Sequence, residues 1–457
     1  MSDATAPTQS ASAGPTSRER LRIILVLGAL IALGPLTIDM YLPALPSIVD
    51  DLDSTSAAVQ LTLTGTLIGL ALGQLVIGPL SDIVGRRLPL IIGTAVHIAA
   101  SLLCVVAPNV AVLGLFRGLQ GLGAAAAAVV AMAVVRDLFT GRAAATVLSR
   151  LMLVMGVAPV LAPSIGGGIL LAGSWRWVFG ALTILGVALL ILAVFALPES
   201  LPQERRRSRG VMPVVRTYGG LLRDGQFVVL VLVAALAMSA MFAYIAGSSF
   251  VLQEEFGLNE QEFAIVFSLG AIALIGASQL NVVLLGHFTP VRIVIAALSV
   301  AVVAALAMTV IATAGFGGIL GFLIPLWFVL AAVGFVMPNA PALALSRHGE
   351  AAGTAAALLG AAQFGSGAIV APVVGVLGND NVAVSLTMVV VSAVALVALI
   401  AVTVRTRSAG RSSSALEKSS ALGESSILGD SSTLGESSTL GENSTESHVA
   451  AGTGQHR

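Results

Sequence analysis

Twelve stretches of this chain are predominantly apolar for about the length that crosses a bilayer, and nothing else in the sequence constrains the fold so tightly. They run at about 22–43, 57–80, 89–107, 110–134, 144–172 and 178–197, and then at about 226–252, 263–286, 291–313, 318–345, 353–377 and 382–404. A helix needs roughly 20 such residues to span a hydrocarbon core. Lipid offers the backbone no hydrogen-bond partner, so a spanning element is either a helix or part of a closed barrel. Barrel strands alternate polar with apolar residues, and runs such as 178–197 do not. Charged residues make up only 10% of the chain, against roughly 25% in a soluble domain. The expected fold class is therefore an all-α membrane protein of twelve transmembrane helices.

The charges sort by side. With the N-terminus in the cytoplasm and the spans alternating, Arg18, Arg20, Arg22, Arg86, Arg87, Arg136, Arg142, Arg150, Arg292 and Arg347 all fall inside. So do Arg205, Arg206, Arg207, Arg209, Arg216 and Arg223 of the longest internal connection, 198–225, and the cations of the tail. Outside falls Arg176 alone, among Asp50, Asp51, Asp53, Glu254, Glu255, Glu260, Glu262 and Asp380. A missed span would scramble this segregation. It gives a cytoplasmic N-terminus (1–21), six helices (22–197), a cytoplasmic central loop (198–225), six more helices (226–404) and a cytoplasmic tail (405–457). Both terminal segments read as disordered. The tail repeats a hexad that sets Leu422, Leu428, Leu434 and Leu440 six apart. Six is not a helical period, and the Ser, Gly and Glu content favours disorder over a short β-helix. The single Cys104 sits in an apolar run and cannot form an intrachain disulfide.

The polar residues inside the spans carry the chemistry. Asp39, in GPLTIDMYLPALP, interrupts the first span; a carboxylate at a helix centre costs roughly 2.5–3.5 kcal/mol and marks a functional site by default. Such a group can exchange protons in the physiological range, unless it merely ends the helix near the headgroups. Arg117, in LFRGLQGLGAA of the fourth span, stays charged at any relevant pH and needs an acceptor. Asp39, a substrate group, helix-end carbonyls and Gln120 are all candidates. Between spans two and three, GQLVIGPLSDIVGRRLPL supplies Gly73, Gly78, Asp82, Gly85, Arg86 and Arg87, in which Asp82 could pair across the cytoplasmic surface in one state and release in another. The fifth span, with Gly156, Pro159, Pro163, Gly166, Gly167 and Gly168, reads as kinked and closely packed. Gly65, Gly69, Gly114 and Gly118 permit close approach of spans two and four. His97 is either a proton relay or a histidine hydrogen-bonded within the bundle. Met238, Met241, Phe242, Tyr244 and Phe250 either line an adaptable pocket or pack as core.

These motifs resemble those of a known family. The stretch from Gly73 to Arg87 is similar to the loop signature of the major facilitator superfamily, Arg117 with Gln120 and Gly121 resembles its fourth-helix motif, and Pro159 to Gly168 resembles its antiporter motif. IDMYLPALP, SWRWVF, FAYIAGSSFVLQEEFGLNEQEF, PNAPALAL and GTAAALLGAAQFGSGAIVAP narrow the likeness to the bicyclomycin and chloramphenicol resistance group of drug/proton antiporters. The resemblance implies two pseudo-symmetric six-helix bundles with a midplane cavity between them and alternating access. It also implies that Asp39 and Arg117 couple protons to substrate, that Tyr41, Gln120, Met241, Tyr244 and Gln363 line the substrate cavity, and that Asp82, Arg86 and Arg87 belong to a cytoplasmic gate. The connection GHFTPVR between spans eight and nine keeps only Arg292 of the basic pattern, so gating contacts are expected to be unequal in the two halves.

The expected function is export of drug-like small molecules in exchange for protons, by a monomer in the bacterial cytoplasmic (inner) membrane; proton-coupled or facilitated uptake of a small metabolite on the same fold is the alternative. The expected partners are the drug, protons and the lipid bilayer. With no metal-ligand cluster, no phosphate-binding glycine loop and zero formal net charge, no cofactor, metal, enzymatic activity or nucleic-acid partner is expected.

Overall fold

Local chemistry decides where each helix begins and breaks. In the computed structural model, which describes residues 17–206, 212–348 and 351–405, Thr55 and Asn109 cap the second and fourth spans by accepting the N–H groups of Ala58 and Val112. Asn259 and Glu262 form a reciprocal capping box at the start of the eighth. Such side chains satisfy amide groups that a helix start leaves unpaired. Twelve helices among the described residues are long and apolar enough to cross a membrane. Spans 1–6 are Leu21–Asp51, Ser56–Val84, Arg87–Val105, Val110–Leu138, Gly141–Leu170 and Arg176–Ala196. Spans 7–12 are Gly225–Glu255, Glu260–Leu284, Pro290–Ala314, Gly318–Leu345, Ala352–Leu377 and Asn381–Arg405. The terminal segments, including the leucine hexad, lie outside the described residues, as do Arg207 and Arg209.

Span 1 runs further than its apolar pattern indicates. Its regular helix ends at Asp39, and a 3₁₀ turn, Leu42–Ala44, hands on to a short helix, Leu45–Asp51. Pro43 and Pro46 sit in the first turns of those two elements, where proline starts a helix instead of stopping one. Asp50 and Asp51 are consequently helical, not in a loop. The central connection also holds a helix, Met212–Arg223, where the sequence reads as loop. The described residues through Ile400 pack as one compact unit.

Packing follows the small residues. Spans 2 and 4 lie against each other, and a Cβ added at Gly69 would stand 2.0 Å from the Gly118 carbonyl oxygen. Across the two halves, span 2 packs on span 11 and span 5 on span 8. Hydrogen bonds between the halves gather at the face that carries the acidic residues. Ser249 Oγ donates to the Leu42 carbonyl at 2.7 Å, Gln253 Nε2 to the Pro43 carbonyl at 3.2 Å and Gln261 Nε2 to the Gly167 carbonyl at 3.1 Å. On the same face Arg176 pairs with Asp51, so the lone cation there is neutralised. On the arginine-rich side the connecting helix is tied to the first half: Tyr218 Oη donates to the Leu75 carbonyl at 3.1 Å.

The helix approach at Gly69 gives a direct test. Gly69→Ala should force spans 2 and 4 apart and cost about 1–3 kcal/mol or more, read as a lower midpoint of thermal unfolding in detergent; an unchanged midpoint would mean that the two backbones are not in contact.

Candidate functional site

The break in span 1 creates the site. A helix that ends leaves its last carbonyls without intrahelical donors, and Arg117 of span 4 takes one of them. Its Nη1 lies 2.8 Å from the Thr37 carbonyl oxygen and 2.6 Å from Gln120 Oε1, which uses both protons on that nitrogen. The guanidinium is fully buried. Its face meets the Tyr41 ring at 4.3 Å and the Phe179 ring at 5.6 Å, so the charge is met by aromatic faces as well as oxygens. Nε and Nη2 have no hydrogen-bond partner among the described residues. The acceptor of Arg117 in this structure is thus a helix-end carbonyl together with Gln120, two of the alternatives open from sequence.

Asp39 lies two residues beyond Thr37, at the end of the regular helix, and is 3% exposed. Its Oδ1 has no hydrogen-bond partner among the described residues. The Tyr244 hydroxyl of span 7 is also buried and has no hydrogen-bond partner among the described residues, and its ring belongs to the same packed core as Ile38 and Met40 on either side of Asp39. Two unsatisfied polar groups from opposite halves therefore share one buried neighbourhood. Burial without partners typically costs about 1–3 kcal/mol per group, a cost that persists where a group must bind or release something.

The remaining residues named for the cavity divide into two sets. Tyr41 and Gln120 are fully buried in the Arg117 network: Tyr41 Oη bonds to Thr62 Oγ1, and Gln120 Nε2 donates to Ser101 Oγ at 2.7 Å. Tyr244 stacks on Phe267 with ring centroids 5.0 Å apart. Met241 is half-buried on span 7, and Gln363 Nε2 stands 3.8 Å from Met337 Sδ, between spans 11 and 10. Gly166 of span 5 meets the break itself, since an added Cβ would come 1.9 Å from the Met40 carbonyl oxygen. Gly156 and Gly167 face Ile275 and Glu260 of span 8, and Ser268 Oγ of span 8 lies 2.6 Å from the Val160 carbonyl, between Pro159 and Pro163. The proline and glycine stretch is therefore a contact surface between halves.

At the arginine-rich end, the loop motif closes on partners that sequence reasoning missed. Arg86 Nη1 lies 2.6 Å from Asp82 and its Nε 2.8 Å from Asp137, at the end of span 4. Ser200 Oγ also donates to Asp137, at 3.0 Å. Burial alone would favour discharging Arg86, but the bonds to Asp137 and Asp82 outweigh it and hold the guanidinium above its ordinary value. Gly85 takes φ of +98°, a conformation that favours glycine, and this turn aims the N–H groups of Arg86 and Arg87 at the Glu199 carboxylate, at 2.8 and 3.2 Å. Burial alone would raise Glu199; the N–H groups of Arg86, Leu201 and Arg87, with Arg206 nearby, hold it below the usual carboxylate range instead. Arg87 Nη2 donates to the Val194 carbonyl at 2.6 Å. Gly73 and Gly78 pack on Ala125 and Val129 of span 4. All these partners of Arg86 and Arg87 lie in spans 2–6 or, for Glu199, at the start of the central connection. The C-terminal half is tied otherwise: Asp224 caps span 7 and stands 3.2 Å from His348 Nε2, while Arg347 bonds to Gln226.

A family model described as the Major Facilitator Superfamily matches residues 27–372. The chain belongs to the major facilitator superfamily. It is 38% identical to the uncharacterized MFS-type transporter YdgK of Bacillus subtilis over 81% of this chain and 92% of that protein. It is 32% identical to a bicyclomycin resistance protein homolog of Haemophilus influenzae over 79% and 90%, and 34% identical to multidrug resistance protein MdtL of Escherichia coli over 59% and 68%. The fold is that of solved transporters: a D-xylose-proton symporter at TM-score 0.64 and 18% identity, covering 83% of this chain and 97% of that one, and an inward-facing bacterial homolog of the lysosomal transporter Spinster at TM-score 0.65 and 17% identity, covering 86% and 98%. As a superfamily member the protein is a multi-pass transporter of small molecules, not an enzyme.

Two outcomes test the loop network. Asp137→Asn should leave Arg86 short of a partner and lower stability by about 1–3 kcal/mol, seen as a drop in the thermal midpoint; no drop would mean that the pair contributes nothing. Because the folded form holds Glu199 low, its stabilising effect is complete above the ordinary glutamate value of about 4.3 and fades as pH falls through the lower folded value. Glu199→Gln should flatten that acid limb of stability against pH; an identical acid limb in the variant would contradict the assignment.

Proposed function

We propose that this transporter exports drug-like small molecules in exchange for protons, with Asp39 as the proton-binding group. The observation that carries the reading is the buried, unsatisfied Asp39 oxygen at the break of span 1, beside the contact between the halves. A carboxyl group there has two uses for one site. Deprotonated, it offers an acceptor to a polar or cationic part of a substrate; protonated, it removes an uncompensated buried charge and lets the halves close. Arg117 holds the neighbouring carbonyl, so the turn carrying Asp39 keeps its geometry through either change. The names of two relatives, a bicyclomycin resistance protein homolog and a multidrug resistance protein, support export of such compounds.

In this reading the arginine-rich face and both termini lie in the cytoplasm, the membrane is the bacterial inner membrane, and the protein works as a monomer. The bundles 22–197 and 226–404 rock about the midplane. Tyr244, Met241 and Gln363 meet the substrate, and the Asp82, Arg86 and Asp137 cluster holds the cytoplasmic ends of spans 2, 3 and 4 as one gating unit. The membrane potential contributes roughly 2.3 kcal/mol per charge per 100 mV.

Reconstituted in proteoliposomes, the wild type should drive proton movement when a drug gradient is imposed. Asp39→Asn should abolish that movement while still binding drug; undiminished proton movement in the variant would refute the assignment.

A further inference from the structure

His97 of span 3 is fully buried, and three other spans build its socket. Nε2 lies 2.9 Å from Thr37 Oγ1 of span 1. A Cβ added at Gly123 of span 4 would come within 2.6 Å of the His97 backbone nitrogen, and one at Gly186 of span 6 would come 3.4 Å from Nδ1. The proton count at Thr37 sets the polarity of the ring. A hydroxyl has one proton, and the Leu33 carbonyl, 2.6 Å away, takes it. What Thr37 turns to His97 is therefore a lone pair, so Nε2 is the donor. Nδ1 has no hydrogen-bond partner among the described residues.

The backbone of the same residue closes a second branch. Arg117 Nη1 donates to Gln120 Oε1, Gln120 Nε2 donates to Ser101 Oγ, and Ser101 Oγ donates to the His97 carbonyl at 2.7 Å. His97 thus touches both arms of the Arg117 network. Its ring holds Thr37, whose carbonyl accepts from the guanidinium, and its own carbonyl ends the chain of bonds that starts at the same nitrogen.

We propose that His97 is a positioning residue for proton coupling: its Nε2–H, acting through Thr37, holds the last turn of span 1 in the register that presents Asp39. The proposal rests on the export reading given above. It assigns a fixed donor and not a proton relay, because a relay needs partners on both ring nitrogens and Nδ1 has none among the described residues.

The test compares three variants in proteoliposomes, reading protons moved per drug, drug affinity and thermal unfolding. His97→Gln sets an amide N–H near the place of Nε2, His97→Asn sets one near Nδ1, and His97→Leu sets none. Gln should keep the wild-type ratio within about twofold, while Asn and Leu should lower coupled transport roughly tenfold with drug affinity little changed. Equal behaviour of Gln and Asn would overturn the proposal. So would a loss of folded protein in every variant with an unchanged proton-to-drug ratio in what remains folded. Should the Leu variant fail to fold, the Gln and Asn pair decides alone. Asp39→Asn runs in parallel: coupling retained there defeats the export reading, whereas coupling lost there but intact in His97→Asn defeats only the role of His97.

Discussion

The hydrogen bond from Arg117 to the Thr37 carbonyl is the interaction on which the rest of the structure turns. An unpaired cation in a bilayer costs several kcal/mol, and an open helix end in a bilayer leaves carbonyls without donors. Here each defect resolves part of the other: the guanidinium takes the carbonyl that the break of span 1 sets free. Neither residue could be changed alone without exposing its partner. The coupling also fixes the position of Asp39, two residues along, without spending Asp39 itself as a counter-ion. The carboxyl group keeps an oxygen with no hydrogen-bond partner among the described residues, which a permanent ion pair with Arg117 would have used.

The second organising constraint is the unequal way in which the two ends are tied. At the acidic face the contacts are side chains of spans 7 and 8 donating to backbone carbonyls at the break of span 1 and the end of span 5. Single neutral hydrogen bonds of this kind have a net value near 1 kcal/mol each, so they hold the halves together while remaining separable. At the arginine-rich face, Arg86 binds two carboxylates within its own half, and Glu199 takes two consecutive N–H groups of the 2–3 turn. Charge-assisted bonds are stronger. They make the first half a rigid body at that end and leave it to move as one piece.

Much of this was legible in the sequence, for a physical reason. Lipid punishes charge so heavily that Asp39 and Arg117 stand out of an apolar background, and arginine segregation corroborates the spans by a route independent of hydropathy. What was not legible depends on contacts distant along the chain. Asp137 and Glu199 look like ordinary charges at helix ends, and only folding brings them to Arg86 and its neighbour. Thr37 and Ser101 carry no signal, since small hydroxyl residues are common in spans and bond readily to their own helix. His97 read either as a proton relay or as a histidine bonded within the bundle, and only the folded structure supplies its partner, Thr37. The extension of span 1 to Asp51 was hidden because Pro43 and Pro46 look like terminators, although each begins a new turn. The alternatives open for Arg117 could be narrowed only by distances.

The central claim is that Asp39 gains and loses a proton as substrate leaves and binds. Infrared difference spectroscopy of the detergent-purified protein, recorded on adding a transported drug, reads the protonation of a buried carboxyl group directly. The account predicts that drug binding removes a protonated-carboxyl carbonyl band in the wild type, and that the Asp39→Asn protein lacks this change. An unaltered carboxyl region in the wild type, or the same difference band in Asp39→Asn, would contradict it.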